Sequence, residues 1–372
     1  MPKVLFVATV VREHINVFHV PFLKLFKDNG WETAVAARND YFENPEACVI
    51  PYCDQYFDIL FERSPLNPRN IVAYRKLREL IKREHYDIIH CHTPVGGMLA
   101  RLAASSARKN GTRVIYTAHG FHFYDGAPLK NWLLYYPVEK FLSRYTDTLI
   151  TINQQDYQRA KKFKAKEVRL VSGVGIDRNI FSCGESRIDI SHEFGIPENT
   201  FIISTVGELI KRKNYPTLLS IMEELKEKNV VCLICGRGVM QKDLEQYVEQ
   251  HNMREFVKFL GFRNDVSRIL KGSDVFVFTS FQEGLPVAVM EAMGCGKPII
   301  ASNIRGNADL VSDGVNGFLL SPTDVDGYVQ KINYLIDNPS VIHDMGEKSS
   351  EMVQPFVIEN VLQEMKAIYF SS

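Results

Sequence analysis

Only two tryptophans occur in the 372 residues, and no run of uninterrupted apolar side chains reaches eighteen. A membrane-spanning helix needs about that many, so none is expected. The apolar run in MPKVLFVATV is too short for a secretory leader, and no cleavage site follows it. A cytoplasmic location is expected. Cysteine is scarce and odd in number, seven with irregular spacing, which argues against a disulfide framework. Net charge is absent as well, since 44 Lys and Arg balance 44 Asp and Glu. That zero hides an asymmetry: residues 1–180 carry 26 basic and 18 acidic side chains, and the remainder 18 and 26. A basic half suits an anionic ligand or an anionic membrane, or is simply a solvated face. No RNA-binding or zinc-finger motif accompanies it, so nucleic acid is not an expected partner.

Metal-ligand arrays are also wanting. Cys232 and Cys235 have CxxC spacing, but VVCLICG reads as a strand, where an offset of three puts the thiols on opposite faces. His90-Cys91-His92 ends the apolar run DIIHCH, and neighbouring side chains on a strand diverge. A strand end is the better reading there. Asp324-Val325-Asp326 follows Ser-Pro-Thr rather than an apolar strand, which favours helix capping. No metal and no cofactor are expected. Gly236-x-Gly238 opens like a dinucleotide fingerprint, but Gln241 stands where a third glycine would, which argues against an NAD role.

What the chain does contain is alternation. KVLFVAT, TAVAA, DIIHCH, VIYTAH, TLITIN and VRLV read as strands. Amphipathic segments such as VFHVPFLKLFKDNG, PRNIVAYRKLRELIKREH and YYPVEKFLSRYT lie between them. The pattern restarts after SGVGIDRNIF with FIISTVGE, VVCLICG, VKFLGF, VFVFTS, PIIAS and GFLL. Strands alternating with helices predict parallel sheets covered on both faces. The expected fold class is α/β, with two Rossmann-like parallel-sheet domains facing across a cleft. Domain boundaries are expected at 1–178 and 179–354, with a hinge near 171–182 and a last helix in 355–372 that packs back on the first domain.

Open α/β sheets bind ligands beyond the carboxyl ends of their strands, and the polar residues fall there: His90, His92, His119, Glu208, Arg263 and Glu283. In VGELIKRKN, Gly207 allows close backbone approach and is followed by Lys211, Arg212 and Lys213, cations that suit a phosphate or else a solvated loop. FQEGLPVAVME places Glu283 on a strand-to-helix loop, Pro286 at the first helical position, and Glu291 more than a turn into the helix. Amides of Gly284 and Leu285 at that helix start favour an anion such as a diphosphate. An ionised carboxylate accepts two hydroxyl hydrogens at once, which matches the vicinal diols of sugars and riboses. Paired acid/base hydrolysis fits poorly, because about five helical residues at roughly 1.5 Å each separate the groups.

Taken together, these segments resemble the family 4 retaining glycosyltransferases of GT-B fold. Glu283-x7-Glu291 with Gly-Leu-Pro inside is the most specific match. VGELIKRKN, CGRG, VKFLGFRNDV, GCGKPIIAS, DGVNGFLL, DIIHCHTP and YTAHGFHFYDGAP follow in the right order. The first-half motifs are similar to the bacterial exopolysaccharide and capsule branch. The resemblance implies a UDP-sugar donor in the second domain. Glu291 would hold the ribose diol, Glu283 with Gly284, Leu285 and Pro286 the donor sugar and diphosphate, and Lys213 the leaving diphosphate. Arg263 would border the base, and His119 would lie near the reacting sugar. The family needs no divalent metal and proceeds with retention.

Two departures stand out. Glu208 occupies the place where many relatives have arginine, so Lys213 and Arg212 must carry more of the phosphate charge. The loop after the first strand, residues 9–19, lacks a Gly-Gly pair and holds Arg12, Glu13, His14 and His19 instead. Arg12 and His14 are candidate acceptor contacts there, and surface or core placement is the alternative for His14 and His19. The expected acceptor is a lipid-diphosphate-linked or free saccharide, with peripheral contact at the inner face of the membrane. A UDP-sugar epimerase of the same architecture and a non-catalytic nucleotide-sugar-binding scaffold are the alternative functions.

Overall fold

The computed structural model describes residues 1–179 and 187–370. Residues 180–182 of the expected hinge and 371–372 of the last helix lie outside the described residues. The strands of the first sheet are β1 (Lys3–Val10), β2 (Glu32–Arg38), β3 (Gln55–Asp58), β4 (Ile88–His92), β5 (Arg113–Ala118), β6 (Thr148–Thr151) and β7 (Glu167–Leu170). They pair in parallel in the order β3-β2-β1-β4-β5-β6-β7. The second sheet contains β8 (Phe201–Val206), β9 (Val230–Cys235), β10 (Val257–Gly261), β11 (Val275–Phe278), β12 (Ile299–Ser302) and β13 (Gly317–Leu320), ordered β10-β9-β8-β11-β12-β13. The central strands are apolar throughout because helices cover both faces and leave no solvated side to alternate with.

Strand order reverses once in each sheet, between β1 and β4 and between β8 and β11. Loops leaving two neighbouring strands diverge at such a point and open a crevice at the carboxyl ends. The residues after β1, β4, β8 and β11 are therefore the ones the fold exposes to a ligand. Within β9, Cys232 joins one core layer and Cys235 the other, on opposite faces of the sheet. Asp324 accepts the Gly327 amide at 3.0 Å and caps the helix Val325–Asp337.

The chain divides into two compact units, Met1–Val174 with Ile358–Ser372, and Gly175–Val357. The division falls a few residues before the expected 178/179, because Ile176 donates its amide to Phe356 at 2.9 Å and bridges to Val357 inside the second unit. The final helix starts at Ile358 rather than 355, since Gln354–Phe356 forms a separate 3-10 turn and Val357 is extended. Val361, Met365, Ile368 and Tyr369 of that helix are buried with Phe22, Leu23 and Phe26 in the core of the first unit.

Residues 9–19 are not a loop. A π-helical turn, Val11–Ile15, runs directly from β1 into a short helix at Asn16–Phe18, and the helix Val20–Asp28 follows. Buried Val11 and Ile15 anchor the turn, which is why this segment winds as soon as the strand ends.

Candidate functional site

In the second unit the site is built by backbone approach. Gly236 has φ +150° and lies so close to Gly207 that a Cβ there would stand 1.9 Å from the Gly207 carbonyl oxygen. That contact brings the ends of β8 and β9 together. The 3-10 turn Lys211–Lys213 follows, closed by Asn214 in the left-handed region at φ 56°. Asn214 is buried, and its side-chain amide donates to the Thr279 and Pro322 carbonyls at 3.0 and 2.8 Å. The Phe281 amide donates to the Arg212 carbonyl at 2.8 Å. The cationic turn after β8 is thus stitched to the segment after β11, at the reversal of strand order.

This stitching delivers Lys213 Nζ and Arg212 Nη1 to the same oxygen, Glu283 Oε1, each at 2.9 Å. Arg212 Nη1 also donates to the Gln282 carbonyl at 2.9 Å. Lys213 packs over the Phe278 ring at 4.6 Å. Burial pulls the Lys213 ammonium below its usual pKa, and the Glu283 carboxylate opposes that shift. Glu283 is buried, and Arg305 Nε donates to its carbonyl at 3.0 Å. Gly284 approaches Gly306, where a Cβ would meet the Gly284 carbonyl oxygen at 2.5 Å.

Leu285 is buried, and Pro286 is the cap rather than the first helical residue. Its ψ of 117° is extended, and the helix runs Val287–Gly294. Glu291 is the fifth residue of that helix. Its side chain pairs with no cation among the described residues, and burial raises its carboxyl to about 7. Gly207, Arg212, Lys213 and Glu283 therefore form one cluster. Arg263 is engaged elsewhere, with Asp265 at 2.7 Å and Glu193 at 3.1 Å.

The first unit gathers histidines at its own strand-order reversal. His14 lies in the turn after β1, His19 just before the helix Val20–Asp28, His92 at the end of β4 and His119 after β5. One ring nitrogen from each lies within 4.8 Å of those of the other three. His119 Nε2 and His92 Nδ1 are 3.3 Å apart. His90 stands behind them, with Nδ1 2.7 Å from Tyr369 Oη and Nε2 2.8 Å from Thr117 Oγ1. Burial lowers the pKa of all five, His90 to about 3 and His119 to about 4, so each ring is neutral near pH 7.

A cavity of about 260 Å³ adjoins the cluster, lined by His14, Thr93, Tyr116, His119, His122 and Glu139 among others. Thr93 holds φ +63° at the end of β4, an uncommon conformation for a β-branched residue, and its Oγ1 lies 2.7 Å from Thr9 Oγ1. Arg12 is exposed, over the Tyr41 ring at 5.5 Å, while its amide donates to Asp40 at 2.6 Å. It does not join the histidines.

Sequence reasoning missed the wall of this cavity. Fully buried Arg101 makes a forked pair with Glu139 at 2.8 and 3.2 Å and covers the Tyr116 ring at 3.9 Å. The signal available was an arginine amid the small apolar residues of GGMLARLAA. It also missed that His19 and His92 meet His14 and His119, because the four positions span more than a hundred residues of sequence.

Two family models match the chain: "Glycosyl transferases group 1" over residues 186–352 and "Glycosyl transferase 4-like" over residues 3–153. The "Putative glycosyltransferase EpsD" of Bacillus subtilis (strain 168) is 40% identical over 375 residues, covering 99% of this chain and 96% of that protein. An Escherichia coli "UDP-Gal:alpha-D-GlcNAc-diphosphoundecaprenol alpha-1,3-galactosyltransferase" is 32% identical, covering 79% and 77%. Among solved structures, sucrose-phosphate synthase (tll1590) from Thermosynechococcus elongatus superposes with a TM-score of 0.81 at 20% identity, covering 99% of this chain and 98% of that one. Anabaena Alr3699/HepE in complex with UDP and glucose superposes at 0.80 with 21% identity, covering 99% of each. These likenesses identify the two α/β units as a GT-B fold.

Proposed function

The chain belongs to the group 1 glycosyl transferases, and we propose that it transfers a sugar from a UDP-sugar to a lipid-diphosphate-linked or saccharide acceptor, with retention at the anomeric carbon. The second unit takes the donor. Glu283 accepts hydroxyls of the donor sugar, Glu291 accepts the ribose diol, and Lys213 with Arg212 neutralises the diphosphate. Gly207, Gly284, Leu285 and Pro286 allow the backbone to approach it, and Arg263 borders the base. Arg12, His14 and His119 stand on the acceptor side. The acceptor hydroxyl attacks the anomeric carbon on the face the diphosphate leaves, and the departing oxygen takes its proton. The protein's share is positioning and electrostatic stabilisation of the leaving diphosphate. No metal is assigned to the donor.

The observation that carries this reading is the meeting of the Lys211–Lys213 turn with Glu283 at the strand-order reversal of the second sheet. The UDP and glucose named with HepE, and the diphosphoundecaprenol acceptor named for the Escherichia coli relative, support the two substrates. The basic excess of residues 1–180 supports an anionic, lipid-linked acceptor at the inner membrane face, in exopolysaccharide or capsule assembly. No helix among the described residues is long and apolar enough to cross a membrane. The test is a panel of UDP-sugars read by UDP release, with a diphosphoundecaprenol-linked N-acetylglucosamine as acceptor and the product's anomeric configuration read by NMR. Release of UDP from one donor with a retained configuration is expected. Folded protein that releases UDP from none, or an inverted product, overturns the reading.

A further inference from the structure

Four clustered imidazoles, two of them buried and three of them carrying an unpaired ring nitrogen, are a costly arrangement. Each neutral ring carries one N–H donor and one lone-pair acceptor, and a buried polar atom left unpaired is destabilising. Yet His14 Nε2, His92 Nε2 and both nitrogens of His19 have no hydrogen-bond partner among the described residues. His19 and His92 are only 1% exposed, so bulk water does not reach them.

The spacing suggests what the orphaned nitrogens are for. Zinc binds imidazole at about 2.0–2.1 Å in tetrahedral geometry, which places ligand nitrogens about 3.3 Å apart and ring centroids about 5 Å apart. His119 Nε2 and His92 Nδ1, which are not among the orphans but lie within hydrogen-bond reach of each other, are separated by 3.3 Å. His14 lies 4.9 Å from His19, 5.0 Å from His119 and 5.9 Å from His92, centroid to centroid. His119 lies 5.8 Å from His19 and 5.5 Å from His92. Five of the six centroid pairs thus lie between 4.9 and 5.9 Å, at that spacing or up to about an ångström beyond it, so the rings draw in as they take the ion. The exception is His19 with His92, stacked at 3.8 Å, which must part as the ion enters.

We infer that His14, His19, His92 and His119 form a binding site for one divalent transition-metal ion of the class that favours imidazole, zinc foremost. Neutral rings suit such an ion, because metal and proton compete for the same lone pair. Behind the ligands, His90 packs its ring 4.0 Å from that of His92 and is itself fixed by Tyr369 and Thr117, so His92 rests against a held neighbour. The ion fastens the turn after β1 and the start of the helix Val20–Asp28 to the ends of β4 and β5. Its role is structural, and the transfer step proposed for the donor does not pass through it. The inference leaves the donor half of that proposal untouched, and with the ion bound only the other ring nitrogen of His14 and of His119 is left to face an acceptor.

The experiment uses the full chain, stripped with a chelator and titrated separately with zinc and with cobalt(II). One equivalent of zinc should be retained and should raise the thermal midpoint. Cobalt(II) should give the intense visible bands of four-coordinate ligation. His14 lies on the turn after β1 and is only partly buried, so His14→Gln is a variant able to fold, and its zinc affinity should fall by more than about tenfold. Calorimetry with UDP in the same samples reports the second unit independently, and unchanged UDP binding shows that the variant is folded there. Failure to retain zinc together with absence of the cobalt bands overturns the inference, whatever the donor assays give. So does undiminished zinc binding by His14→Gln, which would place the ion on exposed groups such as His343.

Discussion

Lys213 Nζ stands 2.9 Å from Glu283 Oε1, so a cation carried by the turn after β8 and a carboxylate carried by the loop after β11 share one enclosed spot. Arg212 reaches the same oxygen. Removing either cation leaves the carboxylate one partner, whereas removing Glu283 leaves two cations facing each other.

Lys213→Ala should accordingly preserve the fold, because Arg212 still pairs Glu283, while transfer falls about 10²–10³-fold, the usual loss for one electrostatic contact to a developing charge. UDP-release kinetics alongside circular dichroism check this. Normal turnover in the folded variant removes Lys213 from the diphosphate.

Glu291 makes a pH prediction. Burial raises its carboxyl to about 7 in the folded chain, well above the ordinary carboxylate value. The folded state therefore holds this proton more tightly than the unfolded state. Its contribution to stability is present at low pH and is lost as pH rises from about 4.5 to about 7. Ribose recognition runs the opposite way, since the ionised carboxylate is the better acceptor of two hydroxyls. UDP-glucose, whose diphosphate has no ionisation in this range, should bind more weakly below pH 7, by at most about tenfold per pH unit. Glu291→Gln should flatten that dependence in calorimetry, and an unchanged pH profile counts against the ribose assignment.

Gly236→Ala should be severely destabilising, by roughly 3 kcal/mol or more, because the new methyl would collide with the Gly207 carbonyl and φ +150° is foreign to alanine. Denaturant unfolding measures the loss. UDP binding should weaken with it, since the same contact sets the spacing of the β8 and β9 ends.

Arg101→Met should cost about 3–5 kcal/mol, because it leaves the Glu139 carboxylate enclosed without its partner. Adding Glu139→Gln should recover part of that loss. A double-mutant cycle by chemical denaturation reads the coupling, and simple additivity would show that the pair does not interact energetically.

The large features were legible because each rests on local pattern. Apolar runs marked the central strands, and FQEGLPVAVME read correctly as loop then helix because proline and glycine punctuate it. β3 escaped notice because Gln55–Asp58 is only partly buried and ends on an exposed aspartate, so it carries no apolar run. The helix Leu129–Leu142 extends six residues before the expected start at Tyr135; its internal Pro137 suggested a boundary that the helix instead absorbs. The cations on Glu283 and the histidine quartet were illegible for another reason. The cations lie about 70 positions from Glu283, and the quartet joins His14 and His19 to His92 and His119 across more than 70, contacts created by strand order that no short window of sequence contains.

Tyr369, the residue whose hydroxyl meets His90, belongs to a helix that is made after the whole of the second unit. The chain that forms the second unit, by contrast, is complete at Val357. Synthesis from the amino terminus, at about 5–20 residues per second, therefore exposes Phe22, Leu23 and Phe26 before the helix that covers them exists. The later-made unit can close while the earlier-made one still waits for its final segment. A chain cut at Val357 would keep a finished second unit and leave an open flank on the first.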